Sequence, residues 1–113
     1  MWILTKHGFY SVVQKPWDVQ GDTLTVRARV AADLEALRAV CPGLGAVTED
    51  DAADYWYRAQ APRLEVGAAL ERLALQIDYN NFKNEIAHAQ GYERAAVYHG
   101  VWRELLQLQR GKA

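Results

Sequence analysis

Two arginines one residue apart, Arg27 and Arg29, lie in the stretch Leu24-Thr25-Val26-Arg27-Ala28-Arg29-Val30, where apolar and polar residues strictly alternate. A period of two marks a half-buried strand, so Thr25, Arg27 and Arg29 are predicted to project from one side and Leu24, Val26, Ala28 and Val30 from the other. A second run, Asp54-Tyr55-Trp56-Tyr57-Arg58-Ala59-Gln60-Ala61, is aromatic-rich and ends at Pro62. Read as a strand, it carries Trp56, Arg58 and Gln60 on one face and Tyr55, Tyr57 and Ala59 on the other. Pairing of the two strands would set Trp56 and Arg58 beside Arg27 and Arg29. Guanidinium groups contact phosphates and aromatic planes stack on bases, so this face is the leading candidate for binding single-stranded nucleic acid. The role it implies is that of a non-enzymatic binding or accessory protein. The plain alternatives are a solvated strand face whose arginines pair with Glu49, Asp50 or Asp51, and a face covered by the C-terminal helices.

A second polar cluster combines Asp78-Tyr79-Asn80-Asn81-Phe82-Lys83 with His88, Arg94, Tyr98 and His99. If the last two helices pair antiparallel, His88 would approach Arg94, and Lys83 would approach Arg103 or Gln107. Histidine and tyrosine can move protons, which raises a small hydrolase-like enzyme using His99, Tyr98 and Lys83 as the lesser reading. No carboxylate is spaced to orient either histidine, and helix caps with a solvated helix face explain the same residues. His7, His88 and His99 fall in three different elements without a paired ligand spacing, so no metal and no cofactor is expected. Cys41 lies on an apolar helix face before Pro42 and reads as a small packing residue rather than a nucleophile. Gly43-Leu44-Gly45 lacks the third glycine and the flanking strand and helix of a phosphate loop.

The elements that must position these groups follow from the pattern along 113 residues, 50% of them apolar and 24% charged. That length and composition fit one globular α+β domain over residues 1–113. Trp2 to Gln14 reads as either one bent strand with a bulge at His7-Gly8 or two short strands, the single bent strand being preferred, and the Lys15–Asp22 stretch as a loop. From Ala31 the period becomes helical, with Leu34, Leu37 and Cys41 inward, Asp33, Glu35 and Arg38 outward, and Pro42-Gly43 as the stop. Gly43 to Ala53 reads as loop. After Pro62 a helix repeats Val66, Leu70, Leu73 and Ile77. Asp78 and Asn80 are placed to cap a short helix with Phe82, Ile86 and Ala89, closed by Gly91. A last helix, Glu93 to Gln109, turns Tyr98, Trp102, Leu105 and Leu108 inward and Arg94, His99, Arg103 and Gln107 outward, and Arg110-Gly111-Lys112-Ala113 is expected to fray.

The predicted architecture is therefore a small, about three-stranded sheet packed by helices, with a C-terminal helical pair. Right-handed β-α-β crossover would make the Leu24 and Asp54 strands parallel, so that the whole resembles a ferredoxin-like plait missing a strand. A net charge of −1 and a pI near 6.3 favour no partner class globally. One cysteine excludes an internal disulfide. Neither a signal peptide nor a membrane span is apparent, and the expected compartment is the cytoplasm, with no membrane partner. Four tryptophans exceed what so small a core can hold. This motivates the alternative of a protein-interaction module or homodimer using Trp17, Tyr92 or the sheet edge.

Several segments together carry a resemblance: Met1-Trp2, Thr5-Lys6, Gly8-Phe9-Tyr10-Ser11-Val12-Val13, Asp54-Tyr55 with Arg58, Asp78-Tyr79 with Asn81-Phe82-Lys83, Gln90-Gly91, and Val101-Trp102 with Leu108-Gln109. In that combination the chain resembles a family of small bacterial proteins that has no assigned activity. The resemblance spans most of the chain and carries over no catalytic role. It directs attention to Lys6, Tyr10, Arg58, Asn81, Lys83, Tyr98 and His99 as polar or aromatic residues within or beside the matched segments.

Overall fold

Alternation from Leu24 onward produces the central strand, Thr23–Ala28, whose Val26 and Ala28 side chains are buried while Arg27 emerges on the opposite face. The computed structural model describes residues 1–111. In it the chain forms two compact units, Met1–Ile77 and a second that begins at Asp78. The first contains β1 (Trp2–Leu4), β2 (Phe9–Val13), β3 (Thr23–Ala28), α1 (Ala31–Leu37), β4 (Thr48–Glu49), β5 (Tyr57–Pro62) and α2 (Arg63–Leu75). The second contains α3 (Phe82–Gln90) and α4 (Tyr92–Leu105). The class is α+β. Among the described residues no helix is long and apolar enough to cross a membrane.

The sheet has five strands in the order β1-β2-β3-β5-β4, and every neighbouring pair is antiparallel. Three sequence expectations change here. First, the N-terminal segment is a hairpin, not one bent strand. At its turn the Thr5 amide donates to Gly8 O at 2.9 Å, and Thr5 Oγ1 accepts from the His7 and Gly8 amides at 3.0 and 3.2 Å. The hydroxyl thus satisfies donors that a reversal of the chain would otherwise strand. Gly8 is required for space, because a Cβ there would lie 2.4 Å from Asp33 Cγ. Second, the stretch read as loop contributes β4, whose Thr48 and Glu49 pair with Arg58 and Tyr57. Third, β3 and β5 are antiparallel, with Ala28 opposite Tyr57 and Thr23 opposite Pro62. The chain leaves and re-enters the sheet at the same end, so the connection is an excursion and not a crossover, and the plait comparison loses its basis.

Tyr10, Val12, Val26, Ala28, Ala59 and Ala61 from one sheet face pack against Leu34, Leu37, Val40, Cys41, Leu44, Val66 and Ala69. An apolar gap of about 20 Å³ lies among them, bordered by Cys41 and α2. Asp33, expected outward, is buried: its Oδ2 accepts from the Phe9 amide at 3.1 Å, and its carbonyl from the Tyr10 hydroxyl at 2.6 Å. A carboxylate early in a short helix ties α1 to β2 in this way. Of the apolar face read for α2, Val66 is buried and Leu73 packs at the core's margin, whereas Ile77, two residues past the helix, is exposed.

In the second unit α3 begins at Asn81, whose side chain accepts from the Asn84 amide at 2.9 Å. Asp78 and Asn80, the expected caps, lie too far upstream for this. Gly91, at φ +97°, closes α3 through its amide on Ile86 O and Ala87 O and starts α4, as left-handed glycine allows. Phe82 stacks on Tyr98 with ring centroids 6.0 Å apart and planes 7° apart. Trp102, Leu105 and Leu108, expected inward, are 52%, 57% and 62% exposed. Helix length explains this: nine residues of α3 span roughly 14 Å and fourteen of α4 roughly 21 Å, so the last turns of α4 extend past α3. Arg110 and Gly111 follow in turn conformation; Lys112 and Ala113, the rest of the segment expected to fray, lie outside the described residues.

Candidate functional site

The register sets Trp2, Ser11, Arg27, Arg58 and Thr48 in one row across the sheet, on the face away from the packed core. Arg27 and Arg58 are direct cross-strand partners, and like charges in that relation repel. No ion pair among the described residues includes Arg27, Arg29 or Arg58. Arg27 Nη2 donates to Ser11 Oγ at 2.7 Å and Arg58 Nη2 to Tyr55 O at 3.3 Å. The Nε of each is buried with no acceptor. The carboxylates expected as mates are elsewhere, Glu49 accepting from the Tyr57 hydroxyl at 3.1 Å and Asp50 from the Ala52 amide at 3.0 Å.

Tyr55 was read onto the opposite face, and the structure corrects this. Regular β5 starts only at Tyr57, so alternation does not extend back to Tyr55. Its ring is buried beneath two guanidinium groups, 4.6 Å from Arg27 Cζ and 4.2 Å from Arg29 Cζ to the centroid. Such contacts contribute roughly 0.5–2 kcal/mol each and flatten the cations against the sheet. Phe9 and then Trp2 extend the aromatic chain. Arg29 Nη1 donates to Asp54 O at 2.6 Å, and Arg29, Asp54 and Trp56 line an open hollow of about 290 Å³. Trp56 is half exposed at its rim.

At the other end of the face, Pro16–Asp18 forms one 3₁₀ turn. Asp18 is fully buried and accepts from the Lys15 amide at 2.7 Å, Thr23 Oγ1 at 2.6 Å, Thr25 Oγ1 at 2.8 Å and Gln60 Nε2 at 2.9 Å. Burial alone would push its carboxyl up; the bonds from Thr23, Lys15, Gln60 and Thr25 outweigh burial and hold it at about 2. The Trp17 indole donates to Thr25 Oγ1 at 3.1 Å, which fixes the ring while leaving it exposed. Trp17, Thr25, Thr48, Arg58 and Gln60 border a second hollow of about 370 Å³.

Of the sequence candidates, Arg27, Arg29, Arg58 and Trp56 do gather on this face. Tyr10 does not: it is buried in the core, its hydroxyl spent on Asp33. Lys6 sits in the β1–β2 turn, where its charge, after burial, lowers the pKa of His7. Ser11, Asp18 and Tyr55 were missed as members of the face. The Asp18 role was readable as an aspartate after Pro-Trp in a turn, a residue type that caps its own backbone.

The second cluster divides. Asn81 is a cap, His88 is exposed in the last turn of α3, and Arg94 donates to the Tyr98 hydroxyl at 3.2 Å. Lys83 meets His99, not Arg103 or Gln107: its Nζ lies 3.1 Å from His99 Nδ1 and 4.8 Å from the Trp102 ring centroid. An ammonium has no lone pair, so Nδ1 accepts and His99 presents an N–H at Nε2. In that tautomer it donates a hydrogen bond and does not serve as a base. Among the described residues no group of histidine, cysteine and carboxylate side chains is arranged to hold a metal ion. Comparison of the chain with family models, curated proteins and solved structures finds no match.

Proposed function

We propose that the protein binds single-stranded nucleic acid on the sheet face that carries Arg27, Arg29 and Arg58, with Trp17 and Trp56 as stacking planes, and acts without catalysis. The observation that supports this is the Arg27–Arg58 cross-strand pair, which holds two positive charges together outside the ion pairs found among the described residues. The repulsion offsets part of what the Tyr55 and Ser11 contacts of these arginines contribute to the fold; an anion laid across the pair removes it. Half-exposed tryptophans at either end add the aromatic faces that unpaired bases use. The test is fluorescence anisotropy of a labelled oligothymidylate with the native protein and with Arg29→Ala/Arg58→Ala. These two positions spare the Ser11 bond of Arg27 but give up the Arg29 contact with the Tyr55 ring, so a modest loss of melting temperature is expected, and at a temperature where both proteins are folded the affinity should fall at least tenfold. Equal affinity in the double variant discards the reading.

A second reading has its own support. Val97, Val101, Leu105 and Leu108 repeat at intervals of four, four and three and are exposed, forming an apolar ridge of the kind that seats another helix. Antiparallel apposition with a second copy about Val101 would bring Glu93 of each near Arg110 of the other. Sedimentation velocity should then show a dimer that Val101→Glu with Leu105→Glu dissociates; a monomer at every concentration removes this reading.

A further inference from the structure

The two hollows differ in the groups that line them, and the difference bears on which bases they admit. This inference rests on the single-strand reading above. We infer that the Trp56 hollow selects a base that carries an exocyclic amino group over thymine or uracil, which carry none, and that the bound strand spans this hollow and the one beside Trp17 with several nucleotides.

Trp17 is bonded to Thr25, and Trp56 shares its hollow with Arg29, four residues further along. Extended chain covers roughly 13 Å over that interval, whereas stacked nucleotides rise only about 3.4 Å each. Neighbouring bases stacked on each other cannot reach both tryptophans. The arginine row lies between, where it meets the backbone of the nucleotides that join the two held bases. Each hollow, at about 370 and 290 Å³, is close to the lower end of small-ligand pockets, roughly 300 Å³, and takes one ring rather than a stack.

Asp54 is the acidic residue of the Trp56 hollow. Its Oδ1 accepts from the Tyr55 amide at 2.9 Å, and Arg29 is bonded to its backbone carbonyl, not to its carboxylate. Asp54 lines the hollow and is exposed, so its second carboxylate oxygen is available to a base seated there. A carboxylate there repels a phosphate and accepts from the amino group of cytosine or adenine, whereas the one N–H that thymine or uracil presents on its pairing edge is flanked by two carbonyl oxygens that repel it. The Trp17 hollow has no such charge to offer, because Asp18 is buried with its oxygens occupied. Selection accordingly falls on one of the two positions.

The experiment compares ten-nucleotide oligodeoxycytidylate and oligodeoxythymidylate by fluorescence anisotropy at pH 7.5 and low salt. The native protein should bind the cytosine strand about fivefold more tightly. Asp54→Asn, which offers both a donor and an acceptor, should bring the two affinities together, and Trp56→Ala should weaken the cytosine strand about tenfold. Equal affinities in the native protein, with dependence on Arg29 and Arg58 intact, overturn the inference and leave the reading standing. Binding of neither strand overturns the reading and the inference with it. The native comparison requires no variant to fold, and the melting temperature of Asp54→Asn checks the rest.

Discussion

A buried aspartate with four donors and no cation governs one end of the sheet face. Asp18 is ionised because hydroxyl, amide and backbone donors stabilise the charge more than burial penalises it. The sign of its linkage is fixed by that depression. Stability from Asp18 is present above the ordinary carboxylate value of 3.8 and is lost as pH falls toward about 2. Urea denaturation should show a decline over that window, and Asp18→Asn should flatten it while costing about 2 kcal/mol at neutral pH. A variant with native stability and an unchanged acid limb would show that the hydrogen bonds do not set the charge. Composition could not reveal this residue: the sequence shows an aspartate in a turn, and only register brings Thr25 and Gln60 to it across β3 and β5.

Elements were legible where the pattern was long and regular. β3, the α2 helix after Pro62 and the helical pair α3–α4 stand within a few residues of where periodicity put them. Short or returning segments were not. The hairpin at Thr5–Gly8 depends on a hydroxyl bond and on the space taken by Asp33, neither of which alternates. β4 has two residues, fewer than any period needs. The direction of β5 followed from an excursion that periodicity cannot distinguish from a crossover, and its late start is why Tyr55 joined the arginines. Caps are similarly local: Asn81, and not Asp78 or Asn80, bonds the first turn of α3. Asn81→Ala should destabilise α3 by about 1 kcal/mol and accelerate hydrogen exchange at the Asn84 amide, with Asn80→Ala inert. The reverse ranking would place the cap upstream.

Over the whole chain, a net charge of −1 conceals a local field. Three arginines outside the ion pairs found among the described residues share one sheet face, and Glu49 and Asp50 bond to Tyr57 and Ala52 instead, so a global balance says little about that surface. Those arginines were readable as candidates because alternation made two of them point together. Their cross-strand opposition and the Tyr55 platform required the fold. The central claim, that this face holds a nucleic-acid backbone by charge, makes a quantitative statement about salt. For single strands the slope of log K against log salt is about −0.7 per phosphate neutralised, so three arginines give about −2. The decisive measurement is that slope for a ten-nucleotide single strand, with the native protein and with Arg29→Ala/Arg58→Ala. A slope of about −2 falling to about −0.7 in the double variant is the expected result. A slope that the two substitutions leave unchanged, or affinity indifferent to salt, would contradict it.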